Sequence, residues 1–192
     1  MVIPAISADE QLHLLNLARR TAVEVLSSGR AKPIHPRTIR GVFGGAFVTF
    51  WGEGKKLRGC VGSLSPTDRV EKTVQDATQS ALRDSRFVSD PITLSELESL
   101  CIEVSVLSGL SAALEPAGLT PGLHGVLIRR GSQSGCFLPK VATENGWSAE
   151  EFLTQCCVLK AGMPGTAWRE PSTEVFLFTA DAIRENRTSL LE

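Results

Sequence analysis

An α+β fold of mostly antiparallel sheets with interspersed helices follows from three features of the sequence. Paired strand-like runs joined by Gly-rich turns occur at 47–61 and 125–141, and such short reversals join antiparallel neighbours. Each pair is followed by a helical stretch and then by a lone strand, so the order hairpin, helix, strand occurs twice, at 43–107 and 125–179. Finally, 42% hydrophobic residues in a chain of 192 are enough for one globular domain, or for two lobes sharing a core, to fold without staples.

The elements follow in order. Ser7 and Glu10 form a capping box, Leu14, Leu17, Ala18, Thr21 and Val25 recur at helical spacing, and Gly29 ends a helix from about Ala8 to Ser28. Residues 30–41, RAKPIHPRTIRG, carry Arg30, Lys32, His35, Arg37 and Arg40 with no acid. Proline keeps this stretch extended; it is either an anion-binding rim, continued by Lys55, Lys56 and Arg58, or a solvated loop. The central hairpin runs from Phe47 to Trp51, through Gly52-Glu53-Gly54, to Leu57–Val61. Ser65 as N-cap, Pro66 at the first helical position and Asp68 predict a helix start. Its stripe of Val70, Val74, Ala77 and Ala81 runs to about Arg83, and Asp84-Ser85-Arg86-Phe87 leaves it. Thr93 and Glu96 form a second box ahead of the strand CIEVSVL, where Ile102, Val104 and Val106 face one side and Cys101, Glu103 and Ser105 the other. Residues 108–124 are a connection to GVLIRR, the turn GSQSG and CFLPKV. Ser148, Glu151 and a staple of Trp147 on Phe152 then begin a helix that ends at Gly162. EVFLFT at 174–179 is the final strand, and the remainder, including Leu191-Glu192, is expected to be loosely held.

Composition excludes several functions. A net charge of -1 argues against a protein built to bind nucleic acid or an anionic membrane. The start MVIPAISADEQL lacks the pattern of a signal peptide and no apolar run reaches membrane-spanning length, so the protein is expected in the cytoplasm. Cys60, Cys101, Cys136, Cys156 and Cys157 include no C-x-x-C pair, and the histidines are scattered. Reduced thiols are expected, with no disulfide, no metal, no iron–sulfur cluster and no other cofactor.

The chemistry concentrates at 57–62, LRGCVG. Arg58 and the predicted helix start both favour a Cys60 thiolate, while Gly59 and Gly62 leave bare backbone for close approach of a ligand. The alternative is a small apolar Cys60 in a strand core, with glycines for packing. Glu103, a carboxylate amid apolar neighbours, is either a salt-bridge partner on an open sheet face or a cleft residue. His124 stands at the mouth of the second hairpin. These residues define a candidate catalytic set, Cys60, Glu103 and His124, with Arg58, Gly59 and Gly62 binding substrate, all lining one cleft; alternatively Arg58 and Glu103 pair as a structural ion bridge.

GAFVTFWGEGKKLRGCVGSLSP at 45–66 resembles the signature of the AMMECR family, protein A of the AmmeMemoRadiSam system. ALRDSRF at 81–87, LESLCIEVSVLS at 97–108, PGLHGVLIRRG at 121–131, GCFLPKVATENGWSAEEFL at 135–153 and LKAGMP at 159–164 carry the resemblance further. It implies two lobes, the larger from both chain ends and the smaller from the middle, with a cleft between them. It also implies Memo-type and radical SAM proteins as companions; it supplies no reaction. Ser85 and Lys140 depart from the family's usual DPRF and LPQV. Two functions are compatible: an enzyme using the cleft thiol on a small anionic or protein substrate in a modification pathway, and a non-catalytic adaptor holding a partner or ligand on LRGCVG.

Overall fold

The structure, a computed structural model, describes residues 6–34, 39–113 and 118–186. The elements are α1 (Ala8–Ser28), β1 (Gly45–Trp51), β2 (Leu57–Ser63), α2 (Val70–Ala81), α3 (Leu94–Leu97), β3 (Cys101–Leu107), β4 (Ser111–Ala112), β5 (Gly125–Arg130), β6 (Gln133–Phe137), α4 (Pro139–Glu144), α5 (Ala149–Cys156), β7 (Glu174–Phe178) and β8 (Ala180–Arg184). The described residues divide into two compact units, one spanning 108–180 and the other made of 6–107 and 181–186. His35 and Arg37 of the basic stretch, and Leu191-Glu192, lie outside the described residues.

In the unit that contains Cys60, capping and periodicity build what they imply. Ser7 Oγ accepts the Glu10 N–H while the Glu10 carboxylate accepts the Ser7 N–H, and Gly29 closes α1 in the left-handed region at φ 80°. The sheet has strand order β2-β1-β3-β8. Ala46, Val48 and Phe50 of β1 stand opposite Val106, Val104 and Ile102 of β3, and all six are fully buried. This is the apolar face, on which α2 lies across β1 and β2 and α1 packs beside it. Each such large side chain contributes about 1.5–3 kcal/mol by leaving water. Gly59 stands opposite Phe50, and a Cβ there would come within 2.3 Å of the Ala81 carbonyl oxygen; a glycine is required for α2 to approach.

Two elements of this unit, the helix start and the chain end, differ from expectation, and burial narrows the two readings of Glu103. The helix starts at Val70, not at Ser65: Thr67 exchanges two 2.8 Å backbone hydrogen bonds with Phe43, which hold it extended, and Arg69 caps α2 without a side-chain bond. Cys60 therefore does not sit just before a helix N-terminus. Glu103 lies on no open sheet face, being 7% exposed. The chain end adds a strand, β8, whose neighbour is β3; Arg19 of α1 ties it down by pairing with Glu185 while donating to the carbonyls of Leu97 and Leu100.

The second unit carries the sheet β4-β7-β5-β6. Val126, Ile128, Phe137, Phe152, Leu153 and Trp168 are central to its core, and the Trp147–Phe152 staple forms with ring centroids 6.5 Å apart. The strand expected to run through CFLPKV stops at Phe137 because Pro139 opens α4. The helix after Ser148 reaches Gly162 by way of a π-helical turn at Cys157–Ala161.

Candidate functional site

LRGCVG forms β2, the edge strand of its sheet. Thr49 of β1 is register partner to Cys60 on one side and to Glu103 on the other, so the three side chains form a row on the sheet face opposite the α2-covered one. Thr49 Oγ1 donates to Cys60 Sγ at 3.3 Å. Glu103 is two strand spacings, roughly 10 Å, from Cys60 along this row. Its carboxylate is buried and not without a partner.

Arg58 leaves that row. Phe50 pairs with Gly59 but Trp51 with Leu57, so a bulge at Arg58 interrupts the alternation that would have put it on the face of Cys60. Its guanidinium, 5% exposed, is bound by Glu96 through Nε and Nη2, by the Asp90 carboxylate at 3.1 Å and by the Asp90 carbonyl at 3.1 Å, and lies over the Phe87 ring. The Glu96 hydrogen bond raises the Arg58 pKa, and the same bond holds the Glu96 carboxyl below its usual range. Arg58 thus pairs with Glu96 and Asp90, at a pocket that Lys56 also lines.

The cation beside Cys60 is Arg86. The Cys60 N–H donates to Asp84 Oδ2 at 2.9 Å, and Arg86 Nη2 donates to the Cys60 carbonyl at 3.1 Å. Arg86 Nε also donates to Asp84 Oδ1 at 3.0 Å. The two side chains form a clamp on both outward backbone groups of Cys60, closing the sheet edge there. The Arg86 hydrogen bond is the main cause holding the Asp84 carboxyl down to about 2, with help from the Cys60 N–H, against the opposing effect of burial. Ser85 begins the turn Ser85–Phe87 that aims both clamp residues, with Asp84 as its cap. A proline suits that first position, so the serine leaves the clamp intact.

Gly62 stands opposite Phe47, and a Cβ on it would lie 2.3 Å from both the Ala46 oxygen and the Phe47 ring; packing alone calls for glycine. His124 belongs to the other unit, where its Nδ1 accepts the Thr120 N–H at 3.0 Å. Of the expected set, then, Cys60 and Glu103 share a row, Arg58 is turned away from it, and His124 closes a local turn. Thr49, Asp84, Arg86 and Glu96 were not anticipated. The signal available for Asp84 was an acid just after a helix end and two residues before an arginine.

The thiols differ in environment. Cys60 and Cys136 are half-buried; Cys101, Cys156 and Cys157 are buried, and burial pushes the Cys156 thiol far up and the Cys157 thiol up as well. Limited iodoacetamide labelling at neutral pH, mapped by mass spectrometry, is expected to modify Cys60 and Cys136 before Cys156 and Cys157. Labelling of Cys156 ahead of Cys60 would contradict this assignment.

Comparison with known proteins agrees with the signature. A family model described as AMMECR1 matches residues 15–183. Protein MK0488 of Methanopyrus kandleri is 38% identical over 192 aligned residues, covering 94% of this chain and 90% of that one. A protein of Aeropyrum pernix is 36% identical over 181, covering 90% and 77%. The crystal structure of the uncharacterized protein PH0010 from Pyrococcus horikoshii matches the fold with a TM-score of 0.86 at 31% identity, over 94% of each chain. Sequence and fold together assign this chain to the AMMECR1 family.

Proposed function

We propose that this protein is a binding module in which the LRGCVG strand is a rigid backbone platform for a protein partner, and that no bond is made or broken at Cys60. The observation that carries this reading is the engagement of Arg58. The one guanidinium within two residues of the thiol in sequence is bound by Glu96 and Asp90, and the Arg86 guanidinium beside Cys60 is bound by Asp84 and the Cys60 carbonyl, so both are already engaged by protein groups. The glycines on either side of Cys60 answer to α2 and to Phe47. Partners of the Memo and radical SAM types, acting in the cytoplasm, suit such a platform; among the described residues no helix is long and apolar enough to cross a membrane.

A thiol enzyme is the second reading, favoured by one contact. The Thr49 hydroxyl donates to Sγ, and a donor there stabilises a thiolate.

Cys60→Ser separates the two, since it keeps size and shape and removes the nucleophile. Tagged wild-type and Cys60→Ser proteins are expected to co-purify the Memo-type protein of the same cell equally. Loss of capture in a folded Cys60→Ser variant would overturn the platform reading. Absence of capture by the wild type would remove that partner.

A further inference from the structure

We propose that the groove between the open edge of β2 and the flank of α2 binds an extended segment of a partner protein carrying a basic side chain, which adds to the sheet as a strand beside β2. This rests on the platform reading and gives it a mode of binding. The argument begins with register. The Cys60 N–H and C=O point away from β1, because Asp84 and Arg86 take them. Residues two apart on an antiparallel edge strand present their backbone groups the same way, so the Gly62 N–H and C=O also point away from β1. The clamp closes the edge at Cys60 and stops there.

Beyond it lies a groove of about 330 Å³, a size that encloses ligand atoms. Val61, Gly62 and Ser63 line one side; Thr73, Ala77 and Ser80 line the other, at i, i+4 and i+7 along one line of α2. An edge strand facing a helix across a groove has the geometry of strand addition, in which backbone hydrogen bonds give affinity and alternate side chains give specificity. The added strand would bond to Gly62 and send alternate side chains toward the Thr73 and Ser80 hydroxyls.

Charge selects the occupant. Asp76 is the charged side chain of the lining. It pairs with Lys72 one turn away on the same exposed helix face, a contact that exchanges readily for a ligand's cation. An anionic ligand or nucleic acid meets this carboxylate unfavourably. A basic, extended segment of another protein satisfies both backbone and charge.

The test uses the full chain as bait for a library of randomised peptides displayed on phage, with the strongest binder then synthesised. The selected peptide is expected to carry Lys or Arg and to slow hydrogen exchange at the Gly62 amide. Ser80→Trp, placed on the exposed flank of α2, is expected to weaken binding about tenfold or more. Asp76→Lys is expected to abolish the advantage of the peptide over its Lys→Ala or Arg→Ala analogue. Should Ser80→Trp misfold by circular dichroism, Thr73→Arg fills the same groove. Selection of no peptide, binding indifferent to these substitutions, or self-association of the wild type that Ser80→Trp removes would each overturn the proposal. If peptide selection fails while Cys60→Ser still captures its partner, the groove falls and the platform stands. If the peptide binds as described while Cys60→Ser loses capture, the platform reading falls instead.

Discussion

Glu96→Ala is expected to destabilise the protein by about 2–3 kcal/mol, measured as a fall in the urea midpoint at unchanged slope. The reason lies in what remains behind. Arg58 is 5% exposed, and without Glu96 its guanidinium keeps only the largely exposed Asp90 carboxylate and one carbonyl. Breaking a buried pair by removing one partner costs about 3–5 kcal/mol, and the smaller figure here reflects the 28% exposure of the Glu96 side chain. Replacing both partners, Arg58→Met with Glu96→Leu, is expected to recover most of the loss, because no uncompensated charge is then buried. A loss below about 0.5 kcal/mol for Glu96→Ala would mean that the pair behaves as a surface ion pair. The substitution also releases the bulge that begins the strand carrying Cys60, so hydrogen exchange at β2 amides is expected to quicken.

Asp84→Asn is expected to change how stability depends on pH. The Asp84 carboxyl is held down to about 2 in the folded protein, against about 3.9 unfolded. A lowered folded value means that its contribution is fully present above pH 4 and is lost as pH falls from about 4 to 2. A difference of this size corresponds to roughly 2–2.5 kcal/mol. Arg86, the main cause, is 47% exposed, and solvent screening reduces the expected contribution to about 1–1.5 kcal/mol. Wild type should therefore lose that much more than Asp84→Asn between pH 4 and 2, with the variant the less stable at neutral pH. Parallel curves for the two proteins would remove the clamp from the account of stability. In the variant the Cys60 amide, which donates to Asp84, is expected to exchange faster.

The sequence by itself determined the features that repeat within a few residues. Ser7 with Glu10 and Ser148 with Glu151 form their capping boxes, because each box closes within one helical turn. Ile102, Val104 and Val106 take the apolar face with Ala46, Val48 and Phe50, because side chains alternate along any strand and only one set is uniformly apolar. The LRGCVG signature marked the edge strand and its family. Only the tertiary structure decided what Arg58 and Cys60 touch. Arg58 meets Glu96 from 38 residues away, Cys60 meets Asp84 from 24, and no local period encodes either pairing. Thr67 is kept from the helix by Phe43, which residues 65–68 alone do not reveal, since their caps favour a start that the bridge overrides. One bulged residue moved Arg58 off the row of Cys60. Alternation predicts faces only while the register is unbroken, and where it breaks is settled by the strands and carboxylates packed around it.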